Sequence, residues 1–118
     1  MDSKYTFVPT WDIDNESAEF TIYHHYTSPT DLKTHEEKMV RAYISLPLEY
    51  PKRVEPFLIA HAKREAGELE LCHINGGWCS FGTESGRLTF DIHKECSMTV
   101  YIPPSLSDAV IEFIRRLV

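Results

Sequence analysis

Nowhere in the 118 residues does an apolar run approach the roughly 20 residues needed to span a bilayer. The opening MDSKYTF has no apolar core of the kind a secretion signal carries. The expectation is a cytoplasmic protein with no membrane role. Cysteine is scarce and odd in number, at Cys72, Cys79 and Cys96, so a complete disulfide framework is excluded and reduced thiols in a reducing compartment fit better. GxSxG, GxxxxGK[ST] and dinucleotide-type glycine motifs are all missing, as are CxxC and HExxH. No repeat, low-complexity tract or linker divides the chain. Residues 1–118 therefore read as a single globular domain, long enough to bury one core without a structural metal.

Basic residues are also lacking where acids are most frequent. Up to Glu37 the acids are Asp2, Asp12, Asp14, Glu16, Glu19, Asp31, Glu36 and Glu37, against only Lys4 and Lys33. Ten acids and ten bases follow, so the whole net charge of −6 belongs to the first third. Such a surface repels phosphate backbones and attracts basic protein surfaces. Direct nucleic-acid binding is not expected; a basic protein partner is.

What is present is strand patterning. Leu88, Phe90 and Ile92 alternate with polar neighbours, as do Met98, Val100 and Ile102, and Leu69 and Leu71. Asn75-Gly76-Gly77 and Glu84-Ser85-Gly86 supply reversals, the second with Gly86 in the left-handed region, and Trp78 to Gly82 is a further short strand between them. Upstream, Tyr5, Phe7, Trp11 and Ile13, then Phe20, Ile22, His24 and Tyr26, form a hairpin around Asp14-Asn15-Glu16-Ser17. Pro9 marks its first arm as an edge or a bulge. The polar segment through Glu37 reads as a loop, and Met39 to Leu46 as another strand. Lys52 to Ala66 carries helix formers ending at Gly67, with Pro56 placing the regular start near Glu55 or Pro56. Ser105 and Asp108 suggest a cap for a closing helix, whose stripe is Leu106, Val110, Phe113, Ile114 and Leu117. The expected class is α+β, an antiparallel sheet of about six to seven strands with two helices packed on one face.

Chemistry is thinly signalled. Cys72, His73, Cys79, His93 and Cys96, with His24 and His25, are zinc-ligand types, but only His93-x-x-Cys96 has chelating spacing. On a strand His24 and His25 point to opposite faces and cannot share a site by adjacency. His25-x-Thr27 has the form of one arm of the two-histidine phosphoesterases; the second arm is missing, because Asn75 follows His73 and Glu95 follows His93 at that spacing. Cys79 follows Gly76-Gly77-Trp78, a setting a tight hairpin also requires. No catalytic residue, metal or cofactor is assigned.

The acidic hairpin end is the favoured site: Asp12, Asp14, Glu16 and Glu19 with Trp11, Tyr23 and Tyr26. Aromatic anchors inside a charged rim are the usual composition of a protein interface. The expected function is a non-enzymatic binding protein, monomer or homodimer, that inhibits or regulates a basic partner, of the immunity-protein or phage anti-defence type. The alternative is a small enzyme or ligand-binding domain using His24 or His25 with Cys79, possible zinc included.

Overall fold

Period-two alternation gives the first three strands, β1 (Ser3–Asp12), β2 (Ser17–Thr27) and β3 (Thr34–Ser45). They pair antiparallel with β2 in the centre. This is a computed structural model, and it describes residues 3–74 and 77–118. A 3-10 turn at Pro51–Arg53 leads into α1 (Val54–Ala62). Four strands follow as a sequential meander, β4 (Gly67–Ile74), β5 (Gly77–Glu84), β6 (Arg87–His93) and β7 (Ser97–Tyr101). A second 3-10 turn, Pro104–Leu106, precedes α2 (Ser107–Arg115).

The α+β class, seven antiparallel strands and two helices follow the sequence. The single sheet does not: the strands divide into a three-stranded and a four-stranded sheet. Their inner faces meet through Phe20 of β2, whose ring lies 5.6 Å from Phe81 of β5 and 5.1 Å from Phe90 of β6. Ala18, Ile22, Val40, Ala42 and Ile44 extend this core on one side, and Leu69, Leu71 and Leu88 on the other. Nor do the helices form a layer over one shared sheet. The first packs on β4 and β5, the second on β1, and they touch each other. Phe113 of α2 meets Phe7, Trp11 and Phe20. Alternation tells each strand that one face is buried; it does not say against what.

Pro9 sits on β1, an edge strand, where its missing N–H removes no ladder bond from a central position. Pro56 falls in the first turn of α1, where a proline is tolerated. That helix ends at Ala62 instead of running to Ala66, because Arg64 turns left-handed with φ of 61°. Gly67 is then no helix terminator and opens β4. A Cβ there would stand 3.1 Å from the Cβ of Ala60 and 3.3 Å from Cγ2 of Thr83, so glycine permits the helix to approach the sheet closely. At α2 no side chain caps the amino end; the 3-10 turn takes that place, and Asp108 sits in the first turn, where the helix dipole favours it.

The β5–β6 hairpin turns on Ser85 and Gly86, with φ of 53° and 81°. Two successive positive values define the mirror-image turn whose twist suits a hairpin. A Cβ at Gly86 would also stand 3.2 Å from the guanidinium carbon of Arg64, which donates to the Ser85 carbonyl. Gly86→Ala should therefore lower stability by about 1 kcal/mol or more in urea unfolding. In the β4–β5 reversal, Asn75 and Gly76 lie outside the described residues.

The polar segment expected to be a loop is one as far as Lys33, but from Thr34 to Glu37 it is the start of β3. His35, Glu36 and Glu37 lie opposite Tyr26, His25 and His24, and Met39 is an extra residue with no partner across the pair. Here main-chain pairing makes a strand without a buried stripe. The radius of gyration of the chain, 15.2 Å, exceeds the ~13.5 Å of a compact chain of this length.

Candidate partner-binding surface

The β1–β2 turn, Ile13 to Glu16, is built around Asp12. Its carboxylate accepts hydrogen bonds from the backbone N–H of Asn15 at 3.2 Å and from the Asn15 side-chain amide at 2.7 Å. This closes the reversal and ends the strand one residue before Ile13. Glu16 takes a φ of 48°, and its carbonyl accepts from the backbone N–H of Leu46 at 2.7 Å, fastening the turn to the end of β3. Asp12, Asp14 and Glu16 are all exposed.

Ile13 stands among these carboxylates at 87% exposure. Beside it lies an open depression of about 370 Å³, lined by Trp11, Asp12, Ile13, Glu16, Ser17, Leu46, Pro47 and Leu117. Trp11 forms a half-buried wall. Its ring lies 5.1 Å from that of Phe113, and the Arg116 guanidinium sits 4.6 Å above its centre. The surface therefore offers an apolar centre and a carboxylate rim, with the exposed Arg116 over the Trp11 ring.

The Asn15 side-chain amide, then its backbone N–H, hold the Asp12 carboxyl below its ordinary value of 3.8. A depressed carboxyl favours folding above the unfolded value, and that contribution disappears as pH falls through the lower folded one. The hairpin end should loosen on acidification below about pH 3.8. Asn15→Ala should move the Asp12 pKa upward in an NMR titration and weaken this acid dependence.

The remaining residues expected at this site are elsewhere. Glu19 lies on the outer face of the three-stranded sheet, where its carboxylate accepts from Nε of Arg41 and its charge is compensated. Tyr23 shares that outer face, but Tyr26, three residues on, is on the opposite one. Tyr26 is nine steps beyond Ser17 along β2, or about 30 Å of strand. Tyr26 belongs to a different cluster: the rings of Tyr5, His24, Tyr26 and His35 stack in succession at 4.8, 5.2 and 5.5 Å, and His35 bonds Asp31. Ile13, Leu46, Pro47 and Leu117 escaped the sequence reading. The Asp12-x-x-Asn15 spacing was the available signal, since it ends the strand before Ile13 and leaves that residue outside the core alternation.

His24 and His25 do point to opposite faces, and neither meets Cys79, which is buried on β5 in the other sheet. His25 lies between Thr6, 3.0 Å from its Nε2 to the hydroxyl, and Glu36, 3.7 Å from its Nδ1 to the carboxylate. Hydroxyl, imidazole and carboxylate in that order resemble a nucleophile, base and orienting group. They span three neighbouring strands on a face open to water, and chiefly tie those strands together. Cys72 lies opposite Cys79 in the β4–β5 ladder. His93 shares a hydrogen bond between Nδ1 and Ser97 Oγ at 2.9 Å, while Cys96 is exposed. Among the described residues no three His, Cys, Asp or Glu side chains are placed to hold one metal ion, and no helix is long and apolar enough to cross a membrane. Comparison of the chain with protein-family models, curated proteins and solved structures found no match.

Proposed function

We propose that this is a non-enzymatic binding protein that inhibits or regulates a basic protein partner through the end of the β1–β2 hairpin. The observation that supports this most directly is Ile13, an isoleucine held in water by a tight turn, between three carboxylates and beside an apolar depression. Burying such a side chain contributes about 1.5–3 kcal/mol, and the surrounding charges accelerate encounter and exclude acidic competitors. A basic cleft that ordinarily receives phosphates would accept the same carboxylates, which is how immunity or anti-defence proteins of this class would block a nucleic-acid-processing enzyme. Glu19, Tyr23 and Tyr26 drop out of the contact, leaving Trp11, Ile13, Asp12, Asp14 and Glu16.

The test is capture from host-cell lysate by the immobilised protein, followed by titration of the purified partner. A basic protein should be retained by the natural chain and by Glu19→Gln. It should be lost after combined Asp12→Lys, Asp14→Lys and Glu16→Lys, and bind about 30-fold more weakly to Ile13→Asp. Its affinity should fall as salt rises. Unchanged affinity in both tip variants would remove the hairpin end from the interface.

A further inference from the structure

Three of the four edge strands carry their own protection against pairing with another sheet. Lys4 and Pro9 interrupt β1, the Met39 bulge and the charges of Glu36, Glu37, Lys38 and Arg41 guard β3, and Glu68 and Glu70 guard β4. β7 has neither a charge nor a proline. Its residues are Ser97, Met98, Thr99, Val100 and Tyr101, and all but Val100 are exposed, Met98 at 49% and Tyr101 at 68%.

The phase of the β6–β7 ladder fixes where the main chain of β7 points. The Ile102 N–H donates to the Leu88 carbonyl at 3.0 Å, so in this antiparallel pair Val100 and Met98 also turn their N–H and C=O towards β6. Those of Ser97, Thr99 and Tyr101 alternate with them and face the free edge. The hydroxyls of Ser97 and Thr99 are turned back on the sheet, the first to Nδ1 of His93 at 2.9 Å, the second donating to the Asp91 carboxylate at 2.6 Å. The edge therefore offers main-chain donors and acceptors, flanked by Tyr101 on the outer face of the sheet and by Met98 and Val100 on the inner one.

This strand is complementary to itself. Set antiparallel across a two-fold axis at Thr99, Ser97 faces Tyr101 of a second copy, Thr99 faces its own counterpart, and Met98 faces Val100. Every outward main-chain group then meets one of its own phase, and each such pair exchanges both N–H···O=C bonds. The Met98 and Val100 pairs are apolar, and no charge opposes a charge. Moving the register two residues one way sets Ser97 against Pro103, which has no N–H; moving it the other way sets Tyr101 against Glu95, beyond the end of the strand. We propose that β7 is a dimerisation edge, on which a second copy of this chain adds its own β7 and joins the two four-stranded sheets into one. Five residues a side make a small interface, below about 1,200 Å², for which a dissociation constant of about 1–100 μM is expected. This inference does not depend on the hairpin end, no residue of which lies on β7.

Sedimentation equilibrium of the full chain between about 1 and about 500 μM should show the mass rising from 13.7 kDa towards twice that value. Amide hydrogen exchange over the same series should slow at Ser97, Thr99 and Tyr101, with little change at Met98 and Val100, whose main chain already faces β6. Thr99→Lys sets a charge against its own copy, and Thr99→Pro removes an outward N–H. Neither breaks a main-chain bond to β6, so both should keep the native circular dichroism and dimerise at least about tenfold more weakly. Thr99→Glu should be equally weak alone, and an equimolar mixture with Thr99→Lys should recover the dimer, because opposite charges then face each other across the axis. A chain that stays monomeric at every concentration would overturn the proposal and leave the edge to an extended segment of another protein. So would a dimer that survives both Thr99→Lys and Thr99→Pro, or one in which the Thr99 amide gains no protection, since its contact then lies elsewhere.

Discussion

Replacing Phe20 with alanine should cost about 3–5 kcal/mol in urea unfolding, a large part of the roughly 5–15 kcal/mol that holds a domain together. Phe20 is fully buried on the central strand β2, and its ring meets those of Phe7, Phe81, Phe90 and Phe113 at 5.1 to 5.6 Å. Those partners come from β1, β5, β6 and α2, so one side chain joins both sheets to the closing helix. Its removal loses the transfer free energy of the ring and leaves a cavity that four separate elements cannot all move to fill. Val8→Ala, on the half-exposed edge of β1, should stay within about 0.5 kcal/mol. A loss below about 1 kcal/mol for Phe20→Ala would mean that the sheets are not held together through this ring.

A carboxylate at Val110 should prevent folding at neutral pH. Val110 is completely buried on the inner side of α2 among Phe113, Ile114 and Leu106. Aspartate there forfeits the apolar contact and places a charge where nothing pairs with it, a penalty of several kcal/mol. Ala109→Asp is the matching control. It lies one position earlier in the same first turn but faces water, and an acid near a helix amino end is mildly favourable. Far-ultraviolet circular dichroism should show Val110→Asp unfolded and Ala109→Asp native. Acidification should partly rescue the former by neutralising the new carboxyl. If both variants fold equally well, α2 is not docked on the core.

The contrast between these neighbouring positions was legible in the sequence, because Val110, Phe113, Ile114 and Leu117 recur at helical spacing. Leu88, Phe90 and Ile92 were legible in the same way, and Ser85-Gly86 announced its turn. Partition into two sheets was not, because Phe20 and Phe81 each show only that something covers them. The outer half of β3 was hidden for the opposite reason. His35, Glu36 and Glu37 pair along the backbone without burying an apolar face, so no periodicity records the strand. At the candidate site, Asp12, Asp14 and Glu16 are adjacent in one turn and could be found by charge alone. Pairing between Glu19 and Arg41 requires strand register, and separating Tyr23 from Tyr26 requires counting three steps along an alternating chain. Ile13 was concealed by its distance of two from Trp11, which imitates a core position until Asp12 is seen to end the strand.

Met39 carries a consequence for how the chain tolerates changes in length. Val40 lies opposite Ile22, and Lys38 opposite Tyr23, so the ladder is in phase on both sides of a residue that neither side uses. Loss of that one residue would leave every cross-strand partnership in β3 intact. The same loss at Arg41 or Ala42 would exchange inward and outward faces along the stretch that covers Phe20. Among related chains, a gap of one residue in β3 should therefore fall at position 39, and the residues opposite His24, His25 and Tyr26 should keep their places whether the gap is present or not.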